Sequence, residues 1–97
     1  MNRLEISAVI EGRTAIRYTP AGIPVISAAL HHQSRQMEAG TVRNVEISLP
    51  AVAIGRIAED IQKLPSDCLY RFEGFIAAKS LKSQDPLFHI TGFSLIE

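Results

Sequence analysis

Apolar side chains recur at every second position along most of this chain, and this period of two constrains the fold most strongly. In the first such run Leu4, Ile6, Ala8 and Ile10 share one face of an extended segment. A period of two is typical of a half-buried β-strand, because successive side chains point to opposite faces of a sheet. The alternation predicts strands in these segments: residues 4–10 with a continuation at 15–18, then 25–35, 41–49, 69–79 and 87–96.

One segment departs from this period. The apolar residues that follow the third strand have helical spacing: Ile54, Ile57, Ala58, Ile61 and Leu64. This spacing predicts an amphipathic helix, and Pro65 supplies its stop. Gly12 predicts a bulge or bend, the device by which one long strand serves both halves of a small barrel. Turns are expected at residues 19–24 and 38–40, where proline and glycine favour them.

The predicted order of three strands, one helix and two strands is the plan of a known architecture. It corresponds to an all-β chain with one short helix, the five-stranded antiparallel OB-fold, a Greek-key barrel. A length of 97 residues suits one domain, so we expect a single OB-fold domain over residues 1–97.

Residue types that catalyse reactions or bind metals form no recognisable pattern. Adjacent histidines on a strand point to opposite faces, so His31 and His32 cannot chelate one metal. A lone Cys68 excludes an internal disulfide and a zinc site built from several thiolates. Glu59 and Asp60 diverge on the solvated side of the predicted helix. We therefore predict a protein that is not an enzyme and that binds no metal or cofactor.

The chain shows no segment that would direct it into or across a membrane. The first residues lack the apolar core of a secretion signal. The uncharged run at residues 49–55 is far shorter than the ~20 residues of a membrane-spanning helix. We therefore expect a cytoplasmic protein with no membrane partner.

Charge is unevenly distributed, although ten basic and ten acidic residues cancel. Residues 12–37 and 74–84 contain basic side chains and no acid. Their cations are Arg13, Arg17, Arg35, Lys79 and Lys82. Residues 38–68 contain five acids against three bases, a balance of −2. The neutral total therefore conceals a polarised molecule.

The position of the two basic segments favours a nucleic-acid partner. In an OB-fold these segments border the groove that binds oligonucleotides. Cations there would neutralise phosphates and release counterions, and nearby aromatic rings would stack on bases. The alternative is that loops and strand edges carry charge for solubility and to block unwanted strand pairing.

Several segments resemble those of one bacterial family. They are Asn-Arg-Leu at 2–4, Pro-Ala-Gly-Ile-Pro at 20–24, His-Gln-Ser-Arg-Gln-Met-Glu-Ala-Gly at 32–40, Leu-Pro-Ala-Val-Ala-Ile-Gly at 49–55 and Glu-Gly-Phe-Ile-Ala-Ala-Lys at 73–79. In this order, and over almost the whole chain, they are similar to primosomal replication protein N, the PriB family. That family is similar in fold to the general single-stranded-DNA-binding proteins.

The resemblance implies a function and a set of partners. It implies a homodimer of OB-folds that binds single-stranded DNA and takes part in replication restart in the bacterial cytoplasm, associated with the nucleoid. It also implies contact with a PriA-type replication-restart helicase and with a further primosome factor. One feature of the sequence favours the dimer, since a long first strand offers an edge for pairing across a two-fold axis.

The resemblance also implies which residues bind DNA. The basic positions that match the family's backbone-binding residues are Arg17, Arg35, Arg43, Lys79 and Lys82. The family's aromatic positions are occupied here by Thr41 and Glu46, neither of which can stack on a base. Tyr18 is the candidate for stacking instead, while Phe88, between apolar neighbours, is expected in the core. We therefore expect weak, sequence-tolerant and strongly salt-dependent binding.

Two other classes of function remain open at this stage. The loss of the aromatic residues favours a protein-interaction OB module whose basic face binds an acidic partner. An enzyme or an oligosaccharide binder on the same fold is the third reading, because a fold alone does not determine function.

Overall fold

A computed structural model describes all residues, 1–97, as six strands and one helix. The elements, in chain order, are β1 (Leu4–Arg13), β2 (Arg17–Tyr18), β3 (Pro24–Glu38), β4 (Thr41–Ile54), α1 (Arg56–Gln62), β5 (Leu69–Ala78) and β6 (Pro86–Leu95). The strands form one sheet in the order β1-β5-β6-β4-β3-β2, and β1 also pairs with β3. This last pairing closes the five long strands into a barrel, and the predicted OB-fold is confirmed.

One strand pair of the barrel differs from the antiparallel arrangement that we expected for all five strands. β4 and β6 pair in parallel, with Ala51 opposite Phe88 and Val52 opposite His89. The chain leaves β4 through α1 and β5 before it returns as β6, and a crossover of this kind reverses the relative direction of the two strands. All other strand pairs are antiparallel.

The inward faces of the strands form the core. Its largest fully buried side chains are Phe72, Phe88, Ile26, Leu30 and Ile61. They come from β3, β5, β6 and α1, so the helix contributes to the same core as the barrel strands. Because Phe88 is completely buried, it is a packing residue, as the sequence indicates.

β1 serves both halves of the barrel, and its bulge lies where Gly12 predicts it. Residues 4–9 pair with β5, and residues 9–13 pair with β3, with a shift of register between Ile10 and Gly12. The predicted continuation at residues 15–18 is a separate two-residue strand, β2, which pairs with β3 at Arg17 and Tyr18. A turn in which Gly22 has φ 82° joins β2 to β3.

The helix begins later than its apolar spacing indicates. Ile54 is the last residue of β4 and is 49% exposed, so it does not belong to the helical stripe. Gly55, with φ 96°, breaks the strand in a conformation that few other residues adopt, and α1 follows at Arg56. Ala58 and Ile61 are buried. The helix α1 is neither long enough nor apolar enough to cross a bilayer.

β3 and β4 form a hairpin that extends beyond the barrel. Their pairing is uninterrupted from Val25–Ile54 to Glu38–Thr41, and the turn residues Ala39 and Gly40 both have positive φ. β3 pairs with β1 only as far as His31. Residues 32–38 of β3 and 41–47 of β4 therefore form a two-stranded ribbon, which we call the arm.

Candidate nucleic-acid interface

The outer wall of the barrel is built by outward-facing side chains of four neighbouring strands. One row runs across it in register: Ser27 on β3 lies opposite Val52 on β4, Val52 opposite His89 on β6, and His89 opposite Phe75 on β5. Directly paired residues point to the same face of a sheet, so these four side chains lie together on the outer face, where Val52 is itself covered by its neighbours and 7% exposed. This wall is the surface on which most of the candidate residues are found.

Arg17 and Lys79 line a common groove on this wall. The groove has a volume of ≈ 370 Å³. Its other lining residues are Ser27, Ala28, Pro50, Ala51, Val52 and Leu87. Arg17 Nη1 donates a hydrogen bond to Ser27 Oγ at 3.2 Å, which orients the guanidinium along the wall without neutralising it. We call this feature the cationic groove.

Arg35 lies farther along the same face, on the arm. Side chains two residues apart share a face, and β3 and β4 are paired without a shift, so Arg35 and Asn44 continue the face that carries Ser27 and Val52. Arg35 Nε lies 3.4 Å from Asn44 Oδ1 and makes no ion pair. A shallow hollow of ≈ 420 Å³, larger than the 370 Å³ of the cationic groove, surrounds Arg35.

Glu46 lies on the same face of the arm and is already engaged. Its Oε2 is 2.9 Å from His31 Nε2 and accepts a hydrogen bond from Gln33 Nε2 at 2.8 Å. The carboxylate therefore lies at a position where the resemblance implies an aromatic ring, and it has polar partners on β3. This arrangement offers no flat apolar surface to a base.

Arg43 is directed away from the other cations. It pairs with Gln36, whose side chain points to the opposite face from Arg35, because adjacent residues of a strand alternate. On that face Arg43 Nη1 lies 2.9 Å from Glu38 Oε1 and forms an exposed ion pair. The five predicted cations therefore do not all share one face.

Lys82 lies in the loop that joins β5 to β6, three residues after Lys79. Ser80 Oγ accepts hydrogen bonds from the backbone N–H groups of Lys82 and Ser83, and the Lys79 N–H donates to the Asp85 carbonyl. These bonds shape the loop at its beginning and end. Lys82 is exposed, and its ammonium group forms no ion pair.

Tyr18, the aromatic candidate, does not lie in the cationic groove. Its side chain is 64% exposed, but it follows Arg17 directly in β2, so the two side chains point to opposite faces. Sequence reasoning missed a second aromatic feature on the outer wall. The rings of Phe75 and His89 stack there, with centroids 4.8 Å apart and planes 12° from parallel. The alternation does carry this signal, because Phe75 occupies an outward position of β5.

The two histidines of β3 contact different partners. His31 contacts Glu46, whereas His32 Nδ1 lies 2.6 Å from the Ser7 carbonyl oxygen and its Nε2 lies 2.8 Å from Ser34 Oγ. No three His, Cys, Asp or Glu side chains come together as a metal site would require. His31 and His32 therefore act on different faces of β3.

Comparisons with known proteins place the chain in a family. A protein-family model described as another single-strand binding protein family matches residues 2–92. The replication restart protein PriB of Neisseria gonorrhoeae is 44% identical over 92% of this chain and 88% of that protein. PriB of Nitrosomonas europaea is 36% identical over 98% of this chain and 88% of its own length.

Solved structures with similar folds include proteins of the same two kinds. PriB from Ralstonia solanacearum superposes with a TM-score of 0.89 at 33% identity, covering 100% of this chain and 99% of that one. A deletion mutant of the single-stranded DNA binding protein from Thermus aquaticus has a TM-score of 0.78 and 22% identity, covering 100% of this chain and 51% of that one, which is a likeness of fold. The chain therefore belongs to the single-strand binding protein family and, within it, to the PriB family of replication restart proteins.

Proposed function

We propose that the chain binds single-stranded DNA non-specifically as an accessory protein of the replication-restart primosome. The observation that carries this proposal is the cationic groove, where Arg17 and Lys79 lie together on the outer wall with no carboxylate bonded to either. Unpaired cations along one face are what a phosphate backbone requires. Arg35 and Lys82 extend this track along the arm and into the β5–β6 loop.

The proposed partners follow from family membership. They are single-stranded DNA, a PriA-type restart helicase that the protein contacts and stimulates, and a further primosome factor. The protein would act as a homodimer of single-domain chains in the bacterial cytoplasm, at the nucleoid. Its role would be binding rather than catalysis, since the outer wall presents cations and aromatic rings and no nucleophile beside a base.

Binding is expected to be weak because the positions of Thr41 and Glu46 offer no ring. Each stacked base that is lost forfeits ~1–3 kcal/mol of binding free energy. Phosphate contacts then supply most of the affinity, and each contributes about −0.7 to the slope of log K against log salt. A fluorescence titration with a labelled oligonucleotide at two salt concentrations measures this slope. Affinity that does not change with salt would contradict the phosphate mechanism.

Charge reversal at Lys82 tests the path of the DNA. Lys82→Glu should weaken binding by more than the ~5-fold that one phosphate contact contributes at about 0.1 M salt, since it also adds repulsion. Lys63→Glu is the matched control, because Lys63 follows α1 and lines neither the cationic groove nor the hollow around Arg35. Equal effects of the two substitutions would show that only total charge matters.

A protein-interaction module is the second candidate function. The exposed apolar pair Met37 and Val42, 69% and 56% exposed, lies at the tip of the arm and favours it. A gel-shift assay with and without the restart helicase separates the two candidates. Binding of oligonucleotide by the purified protein alone at low salt supports DNA binding. A shift that requires the helicase supports the interaction module.

A further inference from the structure

The stacked rings of Phe75 and His89 form a flat aromatic surface on the outer wall, which we call the aromatic platform. Phe75 is 37% exposed although it is a large apolar side chain in the middle of a paired strand. The His89 ring makes no hydrogen bond within the chain, whereas His31 and His32 are both bonded. The platform therefore presents an aromatic ring and an imidazole with free nitrogen atoms.

A hollow of ≈ 170 Å³ lies beside the aromatic platform. Its lining residues are Val52, Ile54, Phe75, His89, Ile90 and Thr91. Most of them are apolar, and Ile54 is 49% exposed at its rim. A small apolar hollow with an aromatic wall and a hydrogen-bonding ring suits a flat heterocycle with polar edges.

The hollow lies next to the cationic groove. Val52 lines both, and His89 lies opposite Val52 in the β4–β6 pair. A strand whose phosphates lie over Arg17 and Lys79 would thus have an adjacent base within reach of the platform. The neighbouring cations favour a polyanion over an apolar peptide as the occupant.

We infer that the Phe75–His89 platform is a base-stacking subsite that receives one nucleobase of single-stranded DNA bound in the cationic groove. This inference rests on the proposed function and adds to it a site for the base rather than for the phosphate. Phe75 supplies the apolar face for the base, and His89, stacked on its other face with centroids 4.8 Å apart, holds the ring in place. The subsite does not select sequence, because every base has a π-face.

A tryptophan probe tests the subsite directly. The chain contains no tryptophan, so Phe75→Trp introduces the only one, at the platform. We expect its fluorescence to be quenched by a thymidine oligonucleotide and not by an abasic oligonucleotide of the same length. Leu69→Trp is the matched control, because Leu69 is a 43% exposed apolar residue on the same strand, six positions away from Phe75 and outside the hollow. Its fluorescence should not change with either oligonucleotide.

Affinity measurements separate this inference from the proposed function. Phe75→Leu should weaken binding of the thymidine oligonucleotide about 5-fold, at the lower end for one stacked base, and leave both the salt slope and abasic binding unchanged. Arg17→Ala and Lys79→Ala should weaken binding of both oligonucleotides and reduce the slope. Thermal unfolding of each variant confirms that it is folded.

Each of the other possible results contradicts the subsite, the proposed function or both. If Phe75→Leu has no effect while the Arg17 and Lys79 variants weaken binding, the subsite is wrong and the proposed function stands. If Phe75→Leu weakens abasic binding equally, the residue acts through structure and the subsite is also wrong. If the unmodified protein binds neither oligonucleotide, both proposals fail. Quenching of the Phe75→Trp probe by the helicase alone would identify the platform as a protein contact instead.

Discussion

At the scale of single residues, Gly74 decides how closely β5 and β6 approach at the aromatic platform. A Cβ atom at this position would overlap the carbonyl oxygen of His89 and crowd the ring of Phe88. The sheet also shifts register between Glu73 and Gly74, and the next pair is Phe75 with His89. Because the obstacle is backbone, it cannot move aside as the end of a flexible side chain could.

Substitution of this glycine should therefore be costly. We expect Gly74→Ala to lower the free energy of unfolding by at least about 2 kcal/mol, since the added methyl group forces two paired strands apart. Gly12→Ala is the control, because nothing lies within 4 Å of a Cβ there. Urea denaturation of both variants measures the difference. Similar midpoints for the two would show that the barrel absorbs the methyl group.

Because of Tyr70, the stability of the folded protein should decrease at alkaline pH. Burial raises the pKa of the Tyr70 hydroxyl above its usual 10.0, and Cys68 and Asp67 raise it further. The hydroxyl donates a hydrogen bond to the Pro65 carbonyl at 3.0 Å, which anchors the segment between α1 and β5. The folded state therefore keeps the proton at a pH where the unfolded chain releases it. This contribution is complete below pH 10 and is lost as pH rises towards the folded-state pKa.

Tyr70→Phe should remove this dependence. Relative to the variant, the unmodified protein should lose free energy of unfolding between about pH 8 and about pH 11, because only its unfolded state gains a phenolate. Urea denaturation of both proteins at the two pH values gives the difference. Tyr18→Phe is the control, since its side chain is 64% exposed. Parallel curves for Tyr70→Phe and the unmodified protein would contradict the assignment.

At the scale of elements, the arm places two arginines on opposite faces of one ribbon. Arg35 continues the face of the cationic groove without an ion pair, whereas Arg43 pairs with Glu38 on the other face. The two positions are otherwise alike in exposure and strand context. They form a matched pair for testing whether DNA follows one face.

Arg35→Ala should weaken oligonucleotide binding about 5-fold at about 0.1 M salt and reduce the magnitude of the salt slope by about 0.7, the effect of one phosphate contact. Arg43→Ala should change neither quantity. Fluorescence titrations at several salt concentrations measure both. If the two variants lose affinity equally, the strand either contacts both faces of the arm or responds only to net charge.

The strands and the helix were largely predictable from the sequence. Particular residues show which features could not be predicted. Alternation located the strands because it reports which face is buried, and Tyr70 and Phe72 indeed face the core. It could not assign Ile54, because one apolar residue fits the end of a strand as well as the start of a helix. The family resemblance grouped Arg43 with the other cations, but the face that Arg43 occupies depends on the register across the β3–β4 turn, which the period of two does not determine. The contact between Phe75 and His89 required the pairing of β5 with β6.

At the scale of the whole molecule, the chain leaves much apolar surface uncovered. Only 15 of its 97 residues are buried, and its extents of 51 × 35 × 22 Å reflect the projecting arm. Ile47, on the arm, is 46% exposed, as are several other large apolar side chains to a similar degree. Such a small core leaves limited stability for a single chain, and association would bury part of this surface.

The unpaired backbone edge of β1 is a second surface through which two chains could associate. Residues 4–8 of β1 pair with β5 on one side only, because β3 turns away into the arm beyond His31. His32 Nδ1 contacts the Ser7 carbonyl on the other side, which shows that Ser7 presents its polar groups to the unpaired edge. Residues two apart share an edge, so Glu5 presents its N–H there as well. An unpaired edge of this kind is a template for pairing with a second chain.

The proposed homodimer can therefore be disrupted by removing one donor from this edge. The unmodified protein should sediment at micromolar concentration as a species of twice the chain's mass of 10.6 kDa. Glu5→Pro should shift it to the monomer, because proline lacks the N–H while leaving the β5 side of the strand paired. Glu5→Ala keeps the N–H and removes only the carboxylate that contacts Arg3, so it should remain dimeric. A Glu5→Pro protein that stays dimeric would place the interface elsewhere, with the apolar face of the arm around Ile47 as the next surface to test.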